Sequence, residues 1–136
     1  MIGLDTNVLV RYIVEDDPQQ AALATQLIDE RTHAQKPAFI SLMVLCELVW
    51  VLSRAYACNR NQLKDILQNL LLTENFMVEH HDVAWLALHD YKDGNADYPD
   101  CLISRLNQMF ECTTTWTFDK KASKLPSNKL LTTENL

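Results

Sequence analysis

Apolar residues recur along this chain at helical spacing in some stretches and in short β-prone runs in others. Ala22, Leu23, Leu27 and Ile28 predict a helix over residues 18–31, with Pro18 at its start and Asp16 or Asp17 available as a cap. Leu42, Val44, Leu45, Leu48, Val49, Val51 and Leu52 surround most of a helix circumference between Ser41 and Tyr56, which predicts a central, largely buried helix. Leu63, Ile66, Leu67, Leu70 and Leu71 mark another, capped by Asn61 and ending near Leu72. Shorter helices are predicted over residues 8–14 and 82–92. A further one opens at Pro99 and carries Leu102, Ile103, Leu106 and Met109. Strand-like runs occupy residues 1–4, 37–40, 76–78 and 112–116, with a last short one near 129–131.

Strands that alternate with helices predict a three-layer α/β/α sandwich around a central, mainly parallel sheet. The 136 residues suffice for one domain spanning 1–136, with no internal repeat or linker. With 48% hydrophobic and 22% charged residues, wholesale disorder is excluded. Two glycines are too few for a barrel of tight turns or a Gly-rich phosphate loop. No apolar run approaches the roughly 18–20 residues of a membrane helix, and residues 1–14 lack the features of a signal peptide. A cytoplasmic location is therefore expected. Cys46, Cys58, Cys101 and Cys112 form no C-x-x-C pair and read as thiols that fill space, not as zinc ligands or disulfides.

Charge changes the picture. Eighteen acids against twelve bases give −6, the wrong sign for a simple nucleic-acid binder. A nucleic-acid partner would need a bound divalent metal or a basic partner protein to offset that field.

The acids themselves fall in suggestive places. Ligands collect at the carboxyl ends of strands in open α/β sheets. Asp5 follows the first predicted strand, Glu47 lies about two turns into the helix after the second, and Asp119 follows the fourth. Asp97 and Asp100 straddle the start of the helix at Pro99 and, three apart, can share a face. Two carboxylates about 4 Å apart repel by roughly 4 kcal/mol at an effective dielectric of 20. A converging cluster must therefore protonate, separate or bind a cation, and Mg²⁺ or Mn²⁺ suits oxygen ligands. Taken singly, each acid has a blander reading: Asp5 as a turn residue, Asp97 and Asp100 as helix-start acids, Asp119 as a loop charge. Glu47 fits such a reading worst, because an acid amid an apolar helix seldom lies buried without a partner.

Four motifs resemble those of PIN domains, in the family's order and across residues 1–122. They are Met1-Ile2-Gly3-Leu4-Asp5-Thr6-Asn7-Val8-Leu9, Leu45-Cys46-Glu47-Leu48-Val49-Trp50-Val51-Leu52, Ala96-Asp97-Tyr98-Pro99-Asp100-Cys101-Leu102-Ile103 and Thr115-Trp116-Thr117-Phe118-Asp119-Lys120-Lys121-Ala122. The size looks most like the VapC-type toxins of bacterial toxin–antitoxin pairs. The resemblance implies a metal-dependent endoribonuclease that uses Mg²⁺ or Mn²⁺. It places Asp5, Glu47, Asp100 and Asp119 at the family's acidic positions and Asp97 at a frequent accessory one. Asp5 and Asp100 are the first choices for direct metal ligands, with Glu47 and Asp119 completing the site through metal or water. Thr6 and Thr117 match hydroxyl residues that flank the metal site. Cys101 stands where the family often has alanine, a change expected to affect packing only. The implied partners are an RNA substrate, with tRNA among the candidates, a cognate antitoxin protein and a second copy of the chain.

Other residues carry weaker signals. Arg11, Arg54, Arg60, Lys120 and Lys121 are candidates for guiding RNA, although most surface bases are simply solvated. Trp50, Trp85 and Trp116 lie in apolar elements and read as core or interface residues before base-stacking platforms. His80 and His81 read as surface residues. A phospho-acceptor domain would need paired acids near the first strand, and an Asp-x-Asp phosphotransferase fails because position 7 is Asn. A non-catalytic α/β module that binds a partner protein is the remaining alternative; it predicts no metal affinity.

Overall fold

Phe39 holds the beginning of the chain in place: its N–H donates to Ile2 O at 2.7 Å and its carbonyl accepts from Leu4 N at 3.0 Å. The computed structural model describes residues 1–136, which separate into two compact units, Met1–His81 and Asp82–Leu136.

In the first unit, β1 (Ala38–Ile40) pairs in parallel with β2 (Phe76–Val78), Phe39 opposite Met77. Residues 2–4 run parallel to β1 on its other side through a single bridge between Gly3 and Phe39. Four helices complete this unit: α1 (Thr6–Ile13), α2 (Pro18–Arg31), α3 (Leu42–Ala55) and α4 (Arg60–Leu72), the last packed on β2. Asp17 caps α2 by accepting from Gln20 N, and Pro18 occupies the first turn, where its missing N–H costs nothing. Ser41 caps α3, whose first N–H is also satisfied by Glu79 Oε1 at 2.9 Å. The cap of α4 is Asn59, not Asn61: Asn59 and Gln62 exchange side-chain-to-backbone bonds in a reciprocal capping box that fixes the start two residues earlier.

The expectation of an α3 buried around most of its circumference is corrected. Leu45, Leu48 and Leu52 are fully buried, but Met43, Glu47, Trp50 and Arg54 form an exposed stripe along the opposite side. Apolar content alone could not distinguish a buried helix from one that leaves Met43 and Trp50 outside.

The second unit contains most of α5 (His81–Asp93), then α6 (Tyr98–Met109), β3 (Thr115–Thr117) and β4 (Asn128–Leu130). The two strands pair in parallel, Trp116 opposite Lys129. Tyr98 Oη donates to Ala84 O at 3.0 Å and its ring meets Tyr91 edge-on, which seats α6 against α5. Asn107 Nδ2 reaches Thr115 Oγ1 and Ser104 Oγ meets Asn128 Oδ1, tying α6 to both strands. β3 begins three residues later than the predicted run at 112–116. Glu111 and Cys112 are consumed in closing α6: Glu111 N donates to Gln108 O and Cys112 N to Asn107 O.

The result is a mixed α/β chain of six helices and short parallel strands. No helix is long and apolar enough to cross a membrane.

Candidate active site

Asp5 ends the segment that runs along β1 and caps α1, accepting from Thr6 N at 2.8 Å with one carboxylate oxygen. Its backbone is extended (φ −81°, ψ 160°), as a capping residue requires. The carboxylate is exposed. Thr6, the first helical residue, is only 4% exposed, and its hydroxyl has no hydrogen-bond partner. A buried hydroxyl left unsatisfied costs on the order of 1–3 kcal/mol, so this atom beside Asp5 has the chemistry of a site for water or a hydrated ion.

Glu47 lies on α3, which packs against α1. It is exposed, on the stripe with Met43 and Trp50. Glu47 is therefore an accessible acid that water solvates, and it needs no buried partner.

In the second unit, Asp97 occupies the cap position of α6 but its side chain makes no capping bond, and Asp100 sits in the first turn. Partial burial holds the Asp100 carboxyl above its ordinary range, and the charges of Asp119 and Asp97 push it further up. Asp97 and Asp119 thus each lie within electrostatic reach of Asp100. Asp119 follows β3 and starts a 3₁₀ turn over Ala122–Lys124: its Oδ1 accepts from Ala122 N at 2.9 Å. Thr117 Oγ1 accepts from Asp119 N at 3.0 Å, so the hydroxyl orients the backbone that presents the acid.

An all-oxygen donor set fits Mg²⁺ or Mn²⁺ in kind. No three His, Cys, Asp or Glu side chains close in tightly enough to enclose an ion unaided. Mg²⁺ does not demand such a cage, because it keeps several waters and commonly takes one or two carboxylates together with substrate phosphate. Burial and the neighbouring charges of Asp119 and Asp97 disfavour the Asp100 carboxylate, and a divalent cation would offset both.

Among the basic candidates, Arg11 is engaged elsewhere: it bonds Gln20, Asp16 and the Tyr56 hydroxyl at 2.6–3.0 Å. Arg54 lies 5.9 Å from the centroid of the Trp50 ring. Arg60 is half-buried at the start of α4, and Lys120 and Lys121 are exposed. His80 and His81 are exposed, as expected. Of the two alternatives, core or interface, exposure of 50% and 44% removes the core one for Trp50 and Trp116, whereas Trp85 is half-buried.

One pair escaped the sequence reading. Buried Asp90 on α5 is gripped by Arg105 on α6, the helix that carries Asp100. A signal was present, since Asp90 falls seven residues after Val83 on the buried face of α5, but nothing marked Arg105 as its partner.

The PIN domain family model matches residues 2–128. The chain belongs to the PIN domain family. This PIN domain is also 24% identical over 122 residues to a VapC ribonuclease of Aquifex aeolicus (strain VF5), covering 90% of each chain. The family match runs through every acidic motif named above, from Asp5 to Asp119.

Proposed function

We propose that this PIN domain is a Mg²⁺- or Mn²⁺-dependent endoribonuclease and the toxin component of a type II toxin–antitoxin module. The observation that carries the reading is Asp100, a half-buried acid at a helix start, crowded by the charges of Asp97 and Asp119. A merely structural helix-start acid would be exposed and stabilised by the helix dipole; this one is held where its charge is disfavoured. Support for the toxin assignment is the VapC ribonuclease relative.

In this reading Asp5, Glu47, Asp100 and Asp119 are the catalytic acids. Asp5 and Asp100 bind metal directly, Asp97 assists, and Glu47 and Asp119 act through metal or bound water. The Thr6 hydroxyl holds a water beside Asp5, which would satisfy its orphaned oxygen. Thr117 steadies Asp119 through its backbone. The chemistry that the metal supplies when bound is a water of lowered pKa, in-line orientation of the phosphate and charge for the leaving oxygen. We also propose that residues 1–136 work as a single PIN-like domain of the three-layer α/β/α type, supported by a family match that continues through both units. A cytoplasmic location, a cognate antitoxin and a homodimer complete the proposal; the net charge of −6 favours a basic antitoxin segment.

The test is cleavage of a labelled structured-RNA pool that includes tRNA, with Mg²⁺, with Mn²⁺ and with EDTA, beside Asp5→Asn. The expected result is metal-dependent cutting that the substitution abolishes. Full activity in Asp5→Asn would refute the site. Absence of cutting together with no metal-induced rise in melting temperature would favour a non-catalytic partner-binding module.

A further inference from the structure

The acidic chain carries one strongly basic segment, and two of its largest exposed rings lie in that segment. Four of the twelve bases but only one of the eighteen acids fall within residues 116–129, leaving eight bases and seventeen acids elsewhere. Lys120, Lys121, Lys124 and Lys129 are all exposed, and none is held in an ion pair. Trp116 is 44% and Phe118 79% exposed. Lys129 is the cross-strand partner of Trp116, and its Nζ lies 5.9 Å from the ring centroid. Burying an exposed Phe and half a Trp needs a ligand with apolar faces. Four uncompensated ammonium groups around them need it to be anionic.

We propose that Trp116 and Phe118 form a base-stacking platform for single-stranded RNA, with Lys120, Lys121, Lys124 and Lys129 holding its phosphates. The proposal rests on the ribonuclease reading for its choice of RNA, but its geometry belongs to the second unit alone. Single strands are favoured over a duplex because only unstacked bases expose their faces to aromatic rings. Trp116 lies on β3 and Phe118 follows that strand directly, so one short stretch of chain offers both exposed rings. Two bases of an unstacked strand can take one ring each. Asp119 is the next residue after Phe118, so a strand held on the rings passes the acids around Asp100. The basic segment also reconciles the net charge of −6 with a polyanionic substrate: attraction is concentrated where the strand lies.

The experiment is fluorescence anisotropy of a labelled single-stranded RNA 12-mer titrated with the full chain carrying Asp5→Asn, in EDTA so that no cleavage intervenes. Phe118→Ala and Trp116→Ala are each expected to weaken binding about tenfold or more, and Trp116→Phe to restore most of the loss. Phe118 is largely exposed, so its variant should fold, and a melting curve verifies this for each protein. Lys120→Gln with Lys121→Gln should flatten the slope of log affinity against log salt by about 1.4. Affinity unchanged in both aromatic variants, which is what a protein-docking face would give, overturns the proposal, as does absence of binding by the parent. Cleavage by the chain with native Asp5 in Mg²⁺ is measured separately. Binding lost in the aromatic variants, while that chain neither cuts nor gains melting temperature with Mg²⁺, would refute the nuclease and keep the platform; cleavage with unchanged binding would do the reverse.

Discussion

Arg105 holds Asp90 by two parallel hydrogen bonds, Nε to Oδ2 at 2.6 Å and Nη2 to Oδ1 at 2.8 Å. The fork geometry joins α5 to α6 and leaves little of either side chain in water. The hydrogen bond to the carboxylate also raises the guanidinium pKa. Removing one partner strands the other's charge. Arg105→Ala is therefore expected to destabilise the fold by about 3 kcal/mol, read by urea denaturation. The double variant Asp90→Ala/Arg105→Ala should lose less than the two single losses added together; full additivity would show that the pair is not coupled.

Asp100 gives the pH prediction. Its folded carboxyl sits above the ordinary value, so the native state binds this proton more tightly than the unfolded chain. The associated penalty is absent below the ordinary carboxylate range, grows as pH rises toward the folded pKa and is complete above it. Asp100→Asn should raise the melting temperature in EDTA at pH 7, with the gain shrinking as the pH falls toward 4. A lower melting temperature at pH 7 would mean that the favourable helix-start charge outweighs repulsion from Asp119 and Asp97.

Metal should act on the same group. Mg²⁺ or Mn²⁺ at a hundred times its dissociation constant stabilises a folded protein by about 2.7 kcal/mol. The native chain should show that rise in melting temperature on leaving EDTA, and Asp100→Asn should show markedly less. Equal rises in the two proteins would place the metal elsewhere.

The helix that carries Asp100 ends under strain. Glu111 adopts φ 66° after the last turn of α6, where the bonds from Glu111 N and Cys112 N close the helix. A left-handed residue with a side chain costs about 1–2 kcal/mol, partly offset by the greater unfolded-state freedom of glycine. Glu111→Gly is expected to stabilise the protein by about 0.5–1 kcal/mol in urea denaturation and to leave cleavage unchanged. Destabilisation would show that the Glu111 side chain makes a contribution larger than its backbone strain.

Much of this fold is legible from local signals because several elements are governed locally. Pro18 with Asp17 fixes the start of α2, Ser41 that of α3, and the run Phe76–Val78 is a strand as read. What was not legible depends on which side of an element meets the rest of the chain. Glu47 and Trp50 sit within an apolar sequence, yet Leu45, Leu48 and Leu52 take the buried face and leave them outside. Trp116 reads as core or interface, and only its place at the exposed position of a strand beside Lys129 removes the first alternative. Position and family resemblance mark Asp119 and Asp100; their electrostatic coupling depends on the geometry of the turn at Asp119. The Asp90–Arg105 pair spans fifteen positions and no local pattern encodes it.

The most direct test of the central claim is the cleavage rate of Asp100→Asn beside the native chain in Mg²⁺, on whichever RNA the native chain cuts, with both proteins verified as folded by their melting curves. The account predicts a variant that is more stable in EDTA and at least a hundredfold slower, because a group crowded for function gains stability and loses chemistry when its charge is removed. A variant that cuts at the native rate would contradict the account and return Asp100 to an ordinary helix-start acid.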